Sequence, residues 1–496
     1  MSTKCDVLTH EVGLRRGWAL GLALVLLSST LAAPALAQVS TATLEAHVTD
    51  VDGGALPGVT VTLENSETGL TRVAVTGEAG DARVTALPPG TYVASFALEG
   101  FSPVNRDGVV LRVGQTVQVR AELSPAVAES ITVSSTVPLV DVYKTDTSTN
   151  IVPEQIESLP VPDRDFQRLA FIAPGVQRER GGFRFIGGGP VVGAGGNASQ
   201  STILVNGVDF TDPALGLSKI RFSQDAIGEF RVINNRYDTE VGGTAGGALS
   251  IVTRGGTNRM SGNAFGFYRA DSLREPGALE QEGADYKRQQ YGFTVGGPIT
   301  QDRTHFFVSF EEINEDNIAF FRPGGAFVSQ ADDVEHPFDQ TLGFAKLDTI
   351  LSESHTLSAN LAYEKYREEN FRVTGVVSVA AGQQLNRDNW NLTLEDLGVL
   401  GSSGLNELRL QAGTRKYDEP TNSNAVSEWF SSGNTLQTGS NILGDLLGEG
   451  DVYELRDTFH RTLDGKGGSH DLKLGASFLY AEDRLRIDTF QEGLFL

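Results

Sequence analysis

The sequence has a single cysteine, Cys5, among its 496 residues. An intramolecular disulfide and a cysteine-based metal site are therefore excluded. The seven histidines are scattered, and none lies in the HxxxH or HxH pairs that zinc sites use. Basic residues are also in deficit, since 40 lysines and arginines face 63 aspartates and glutamates, for a net charge of −23. This charge argues against nucleic acid as a partner, because phosphate binding needs a basic face.

Catalytic and cofactor motifs are missing as well. No nucleophile elbow, P-loop or paired-carboxylate motif occurs in a supporting context. The glycine-rich stretch 181–196 lacks the strand–GxGxxG–helix setting of a nucleotide site, so its glycines are expected to allow tight turns and close packing. Asp332, Asp333 and Glu335 could bind a cation, but an acidic run of this kind is more often solvated. We therefore expect no cofactor, no metal and no enzymatic activity.

Long apolar runs are confined to the N-terminus, where Arg15 and Arg16 precede a run from Trp18 to Ala33. The run has the length of a signal-peptide core and is too short to span a membrane comfortably. The small residues that follow predict cleavage between Ala37 and Gln38, which would remove residues 1–37. An uncleaved anchor is the alternative. We expect an exported protein without a helical anchor.

Residues 38–126 read as short strands separated by turns. Apolar and polar residues alternate around Leu44–Val48, Val59–Leu63 and Val117–Ala121, and glycine and proline mark the turns between them. About seven evenly spaced strands predict a small β-sandwich. The segments around Pro57-Gly58 and Pro88-Pro89-Gly90 resemble the carboxypeptidase regulatory-like domain, which is non-catalytic. A generic immunoglobulin-like spacer is the alternative.

Residues 127–257 combine a β-prone run, a helical stretch and glycine-rich strands. Residues 203–209 predict a buried strand that ends in the Asn206-Gly207 turn, and Gly246 and Gly247 precede another strand. Five arginines of this region could meet an anionic ligand or pair with carboxylates of a surrounding wall, and pairing is favoured: Arg164, Arg168, Arg178, Arg180 and Arg184.

Residues 258–496 alternate apolar and polar residues in about nine candidate strands, with aromatic residues near the strand ends. The connections alternate between short ones, such as 299–303, and long ones, such as 315–340. Short periplasmic turns and long outer loops are typical of an outer-membrane barrel. A soluble sandwich also fits the residue alternation, but the loop lengths favour the barrel.

Three stretches of residues 127–257 resemble the plug domain of TonB-dependent outer-membrane receptors: Val205–Asp209, Ile227–Val232 and Gly246–Asn258. The order of sandwich, plug and barrel is similar to the Oar-like subgroup of that family. The resemblance implies a mainly β fold, with a β-sandwich, an α+β plug and part of a large antiparallel barrel. It marks as plug-motif residues Asn206, Gly207, Asp209, Gly246 and Gly247.

The resemblance also implies a TonB box at the start of the plug, made by Glu129, Ser130, Ile131, Thr132, Val133, Ser134 and Ser135. Such a segment adds as a strand to a periplasmic TonB-type energy-coupling protein, and backbone hydrogen bonds provide the affinity. The other implied partners are outer-membrane lipid and a small ligand. Its class stays open between siderophore, glycan, peptide and cobalamin, because a fold does not fix its ligand.

The chain is too short for the barrel of such a receptor. About 22 strands of about 10 residues need roughly 220 residues, and 258–496 leaves almost nothing for the connections. An 8- or 10-stranded barrel could close but could not hold a plug. We therefore expect this sequence to be the N-terminal part of a longer receptor.

Three functions are compatible with these patterns. The favoured one is TonB-dependent import of a scarce nutrient across the outer membrane of a Gram-negative-type bacterium, with the sandwich in the periplasm. The second is an Oar-like adhesion or structural protein of the outer membrane. The third, a secreted enzyme with a sandwich appendage, is disfavoured because no catalytic constellation appears.

Overall fold

The computed structural model describes most of the chain from residue 40 onward. The described residues are 40–125, 131–133, 147–178, 190–193, 200–212, 218–234, 241–273, 275, 286–401, 404–430, 436–465, 468–489 and 493–495. They form a sandwich, a plug-like α+β unit and a large antiparallel sheet. No helix among them is long and apolar enough to cross a membrane.

Residues 42–123 form a two-layered β-sandwich, as the alternation predicted. Its strands are β1 (Ala42–Asp50), β2 (Thr60–Asn65), β3 (Thr71–Val75), β4 (Asp81–Leu87), β5 (Gly90–Ala97), β6 (Val104–Leu111) and β7 (Thr116–Leu123). One sheet has the order β4-β1-β7, and the other contains β3-β2-β5-β6. The inward residues of both sheets, such as Leu44, Leu63 and Phe96, form one apolar core. This alternation buries one face of each sheet and leaves the other in solvent.

A short strand from the following segment extends the second sheet of the sandwich. Strand β8 (Ile131–Val133) runs parallel to β6, with Ile131 opposite Val104 and Val133 opposite Arg106. Residues 131–133 of the predicted partner-binding segment are therefore paired, through their backbone, with an edge strand of the preceding domain.

The plug-like unit is built on a five-stranded sheet with the order β13-β12-β15-β14-β9. Its strands are β9 (Thr147–Ile151), β12 (Ser201–Val205), β13 (Val208–Asp209), β14 (Ile227–Asn234) and β15 (Gly247–Thr253), and a separate pair is β10 (Val176–Arg178) and β11 (Pro190–Val192). Its helical elements are α1 (Pro153–Ser158) and the 3-10 helices Pro162–Arg164, Phe166–Ile172 and Gln224–Ala226. Every residue of β12 is buried, which is typical of a central strand covered on both faces.

The third unit is a nine-stranded antiparallel sheet whose order follows the chain. Its strands are β16 (Ser261–Ala270), β17 (Lys287–Thr300), β18 (Thr304–Asp316), β21 (Phe338–Ile350), β22 (His355–Phe371), β23 (Gln383–Leu400), β24 (Gly404–Glu419), β27 (Leu446–Gly465) and β28 (Gly468–Ile487). Strands of 13 to 20 residues dominate it, longer than the roughly 10 residues that crossing a bilayer requires. The strands are therefore long enough to cross a membrane and extend beyond it.

The polarity of this sheet is inverted relative to a soluble domain. Outward residues are apolar and exposed, as at Leu361 (45%) and Trp390 (39%), whereas the inward neighbours Asn360, Asn391 and Thr393 are at most 4% exposed. An apolar outer face and a polar inner face are the pattern of a transmembrane barrel wall.

One apparent exception to the alternation has a packing reason. Phe307 follows Phe306 in β18 and points inward, where it joins the core of the plug and lies 6.3 Å from the ring of Phe344. Phe306 thus lies on the outer face of the sheet, and Phe307 packs against the plug.

Connection lengths alternate as predicted. Strand pairs β17–β18, β21–β22, β23–β24 and β27–β28 are joined by two to four residues. The long connections hold β19 (Ile318–Phe321), β20 (Asp332–Glu335), β25 (Ser427–Phe430) and β26 (Leu436–Thr438), with 3-10 helices Asp271–Leu273 and Gly325–Gln330, and β29 (Leu494–Phe495), which follows β28, pairs with β25. These segments pack on each other through Phe321, Val334, Val373 and Leu436. Here the two ends of the sheet are called the short-turn end and the long-loop end.

Candidate functional site

The predicted Asn-Gly turn lies where the plug meets the inner wall of the sheet. Asn206 and Gly207 join β12 to β13 with φ of 48° and 80°. Positive φ at both positions is the backbone of a type I′ hairpin turn, which favours this dipeptide. The Asn206 side chain donates to Thr253 Oγ1 at 3.0 Å and accepts from the Thr253 amide at 3.1 Å, which ties the turn to the end of β15.

A buried arginine from the wall covers this turn. Arg409 of β24 is 2% exposed and forms ion pairs of 2.7 Å with Glu395 and with Glu407. A Cβ at Gly207 would lie 2.8 Å from the Arg409 guanidinium carbon, a distance that side chains do not adopt. The guanidinium also donates to Ser40 Oγ of the sandwich at 3.0 Å. Arg409 therefore contacts the wall, the plug and the sandwich at one point.

The remaining predicted plug residues have structural contacts. The Asp209 carboxylate accepts from the Thr211 amide at 2.7 Å, and the Asp209 amide donates to Glu454 of the wall at 3.2 Å. A Cβ at Gly246 or Gly247 would lie 2.5 Å or 2.4 Å from a backbone carbonyl of a neighbouring segment. These two glycines thus permit close strand packing.

Ion pairs connect the plug with the wall, and of the arginines singled out in the sequence Arg164 takes part in one of them, whereas Arg168 pairs with Asp163 and Asp165 of the plug. Arg164 lies 2.8 Å from Asp225 of the plug, 4.0 Å from Glu311 of β18 and 4.3 Å above the ring of Phe265. In the opposite direction, Arg288 of β17 lies 3.3 Å from Asp163 of the plug. Polar pairing of this kind satisfies charges that would otherwise be buried without partners.

A polar cavity of about 520 Å³ opens between plug and wall at the long-loop end. Eight basic and six acidic side chains line it, together with aromatic residues such as Phe171 and Phe338. Its volume is in the range of small-molecule sites, which span about 300–1,000 Å³. Several of its charged groups form ion pairs between plug and wall, for example Arg415 of the wall with Asp212 of the plug at 3.3 Å. The cavity is therefore a candidate ligand site for a polar small molecule.

Two plug residues that the sequence did not single out define the floor of this cavity. The Lys219 ammonium donates to the Asp209 carbonyl at 3.0 Å, and burial lowers the pKa of Lys219 against the opposing effect of Asp209 and Glu454. Arg221 donates to Gln340 of the wall at 3.2 Å, and its amide donates to Glu364 at 3.2 Å. Arg221 is thus held by the wall and Lys219 by the plug, and both line the space that a ligand would occupy.

Of the other predicted residues, Arg168 and Arg178 line the cavity, and Arg168 lies 3.1 Å from Asp163. Ile131, Thr132 and Val133 form β8. Outside the described residues lie Ala37, Gln38, Glu129, Ser130, Ser134, Ser135, Arg180 and Arg184.

The acidic run at 332–335 is a paired strand. Its residues form β20, which pairs with β19, and Asp333 forms an ion pair with Arg322. Among the residues that the structure describes, no group of three histidine, cysteine, aspartate or glutamate side chains is placed to hold a metal ion.

Sequence reasoning missed Arg409 and the contacts of the sandwich with the wall. A usable pattern was present, because Arg409 lies between the outward residues Leu408 and Leu410 and must therefore face inward. The identity of its partners could not be read in this way, since Ser40 is 369 positions away in the chain.

Two family models match the chain. Residues 43–124 match the carboxypeptidase regulatory-like domain, and residues 252–321 match an outer membrane beta barrel domain. The chain is 30% identical over 253 residues to the TonB-dependent transporter Oar of Myxococcus xanthus, a match that covers 48% of this chain and 23% of that protein.

Solved structures of outer-membrane proteins are similar in fold. The outer membrane transporter YddB of Escherichia coli superposes with a TM-score of 0.52 at 14% identity, over 68% of this chain and 48% of that one. For the siderophore receptor PirA of Acinetobacter baumannii, the TM-score is 0.48 at 16% identity, with the same coverage. The chain thus spans about a quarter of the curated relative and about half of these solved chains.

These matches confirm the mainly β fold class, the resemblance to TonB-dependent receptors of the Oar type and the outer-membrane location. The relative is named as a transporter, which agrees with the prediction that the chain is not an enzyme.

Proposed function

We propose that this outer-membrane chain, a relative of TonB-dependent receptors of the Oar type, binds a scarce nutrient on its outer side and imports it with energy supplied through TonB. In this proposal residues 38–126 form a periplasmic sandwich, 127–257 the TonB box and plug, and 258–496 part of the barrel. The short-turn end then faces the periplasm and the long-loop end faces the medium, as in outer-membrane barrels.

The observation that carries the proposal is a plug held against a wall by polar contacts. Arg288 pairs with Asp163, and Arg415 pairs with Asp212, both across the seam between plug and wall. A plug meant only to fill a pore would be held better by apolar packing, because buried ion pairs gain little over apolar residues of similar volume. Polar groups between plug and wall can instead exchange their protein partners for water. A plug that rearranges during transport needs contacts of this kind.

The extended backbone of residues 131–133 supports the proposed pairing with TonB. Residues 131–133 already form a strand that pairs through its backbone with β6. Strand addition to TonB would use the same backbone groups with a different neighbour. Ligand binding at the outer cavity would then favour the state in which the segment is free, which requires that the ligand bind this state more tightly.

The lining of the cavity at the long-loop end indicates the polarity of the ligand. This mixed lining of basic, acidic and aromatic side chains suits a polar molecule with hydrogen-bonding groups rather than an apolar one. Ferric siderophores, cobalamin, oligosaccharides and peptides all meet this description.

Proline substitutions in β8 test the coupling. Replacing both Ile131→Pro and Val133→Pro in the full-length protein removes two backbone donors. We expect binding of the purified periplasmic domain of the bacterium's TonB-type protein to weaken about 5- to 150-fold, because two backbone hydrogen bonds at about 0.5–1.5 kcal/mol each are lost. Biolayer interferometry with the purified receptor measures this affinity.

The matched control exchanges the two side chains, Ile131→Val with Val133→Ile, and keeps every backbone donor. Uptake of labelled ferric siderophores, cobalamin, oligosaccharides and peptides by cells carrying each variant gives the functional readout. Uptake that survives the prolines would contradict energy coupling through this segment. If cells carrying the unaltered protein import none of these compounds, and cells carrying the proline variant still adhere, the adhesion hypothesis is favoured.

A further inference from the structure

A second cavity lies at the short-turn end, on the opposite side of the plug from the ligand cavity. It has a volume of about 230 Å³ and lies where sandwich, plug and wall meet. The wall contributes Lys346, Asp348 and Ser358, and the plug contributes Asn206 and Thr253. These groups are polar, and apolar residues such as Leu70, Val252 and Leu397 complete a mixed lining.

The sandwich closes this cavity from the short-turn end. Asn65 at the end of β2, then Glu67, Thr68 and Leu70 before β3, form its remaining wall together with Pro88 and Pro89, which join β4 to β5. Ser40 and Thr41, at the entrance to β1, complete that wall beside Arg409. A space between plug and barrel wall is therefore covered by a separate domain at its short-turn end.

Polar contacts hold the sandwich in this position. The Arg72 guanidinium donates to the carbonyl of Glu353 at 3.3 Å and to Thr356 Oγ1 at 3.2 Å, both at the short turn between β21 and β22. The Asn258 amide donates to the carbonyl of Glu67 at 2.7 Å. Burial in this contact lowers the pKa of Arg72, although the guanidinium stays charged at neutral pH.

The plug contributes a second set of polar contacts. Glu229 accepts a hydrogen bond from the Val113 amide at 3.3 Å, and Arg231 donates to the carbonyl of Gly114 at 3.1 Å. The apolar part of the interface is small, and its buried members on the wall side are Leu397 and Leu405 against Ala86. Polar interfaces of this kind resemble those of domains that move relative to each other.

We propose that the sandwich domain is a periplasmic cap, which closes the cavity between plug and barrel wall and must leave this position before a ligand can pass. This inference rests on the proposed transport function. In this role the sandwich controls the passage of the ligand from the receptor into the periplasm.

The connection to β8 places the cap next to the energy-coupling segment. Because β8 is hydrogen-bonded to β6, a pull on residues 131–133 acts first on the edge strand of the sandwich. The cap is therefore the first domain that the coupling force meets along the chain.

Thiol labelling of the cavity tests whether the cap closes it. Ser358 lines the cavity, so Ser358→Cys in a cysteine-free background of the full-length protein provides a single reporter. The probe is the small anionic reagent 2-sulfonatoethyl methanethiosulfonate, applied to the purified receptor in detergent. We expect Arg72→Ala to raise the labelling rate about tenfold, since it removes two hydrogen bonds of the cap.

The matched control is Arg120→Ala, which removes an exposed arginine of the same domain away from the cavity. Equal labelling rates in Arg72→Ala and Arg120→Ala would overturn the cap. Fast labelling of the reporter with the cap intact would overturn it as well.

A disulfide tether tests whether the cap must leave. A Cβ at Gly69 would lie 3.0 Å from the Cβ of Asp302 in the turn between β17 and β18. Gly69→Cys with Asp302→Cys can therefore be bridged after a shift of about half an ångström. We expect oxidised cells to lose at least nine-tenths of their uptake of whichever compound of the panel above is imported, and a reductant to restore it.

The outcomes separate the cap from the transport function. Equal uptake by oxidised and reduced cells, with the disulfide verified by mass spectrometry, overturns the cap and leaves transport intact. Absence of uptake by the unaltered receptor refutes transport, while the labelling experiment on purified protein still decides whether the sandwich closes the cavity.

Discussion

Substituting Gly207 tests the contact between plug and wall at Arg409. In Gly207→Ala, a Cβ would be added at φ of 80° and 2.8 Å from the Arg409 guanidinium carbon. The left-handed backbone costs alanine about 1–2 kcal/mol. The guanidinium cannot move away easily, because two ion pairs hold it, and overpacking of this kind costs about 1–3 kcal/mol more. The total expected destabilisation of the plug is about 2–5 kcal/mol.

Gly243→Ala is the matched control. Gly243 belongs to the same unit and has φ of 70°, but its nearest neighbour would lie 3.9 Å from an added Cβ, at Thr202 Oγ1. Only the backbone cost of about 1–2 kcal/mol therefore applies there. The difference between the two variants isolates the contact with Arg409.

Hydrogen exchange of the amides of β12 and β15, followed by mass spectrometry on the full-length receptor, measures the effect. Tryptophan fluorescence is unsuitable because the three tryptophans, Trp18, Trp390 and Trp429, lie outside the plug. We expect protection in Gly207→Ala to fall by about two orders of magnitude, at 1.4 kcal/mol for each factor of ten.

A double-mutant cycle with Arg409→Ala completes the test. Without the guanidinium, Gly207→Ala should cost only its backbone contribution, which gives a coupling energy of about 1–3 kcal/mol. Equal costs for Gly207→Ala and Gly243→Ala, or a cost that does not change in the Arg409→Ala background, would refute the reasoning.

Two further predictions concern the sandwich contact and the membrane face. Burial raises the pKa of Glu229, so the ionised form is disfavoured in the folded protein and stability falls as pH rises from the unfolded pKa of about 4.3 through the folded one. Glu229→Gln keeps an oxygen acceptor for Val113, so its melting temperature should depend less on pH between 4 and 8, and an unchanged pH dependence would contradict this. Leu361→Arg places a charge on the lipid-facing side and should cost about 2–4 kcal/mol in folding titrations into lipid vesicles, whereas Lys365→Arg, nearer the long-loop end, should be neutral.

The local pattern of the fold could be predicted from the sequence. Alternation around Leu361 and Leu410 gave the strands and their lipid-facing side, because the side-chain period of a strand is two. The Asn206-Gly207 dipeptide gave the hairpin turn, since few other residues adopt positive φ at both positions. These features depend on neighbours within a few residues.

Contacts between distant segments could not be predicted in this way. Nothing in the residues near Arg409 indicates Ser40, and nothing in 131–133 indicates that its backbone pairs with β6 rather than with the plug. The strand alternation predicts that Arg409 faces inward. The residues that Arg409 contacts depend on how the sandwich, the plug and the wall pack together.

Under the proposed coupling of residues 131–133 to TonB, their pairing with β6 has a thermodynamic consequence. A segment that is occupied within its own chain offers an external partner only the fraction of molecules in which it is released, so the apparent dissociation constant rises by the inverse of that fraction. Each 1.4 kcal/mol by which the parallel pairing of 131–133 is favoured therefore weakens the partner's apparent affinity tenfold. Under the proposed coupling, an empty receptor would therefore bind the coupling protein weakly, and a ligand that loosens the strand would restore the lost affinity without a new contact to the partner.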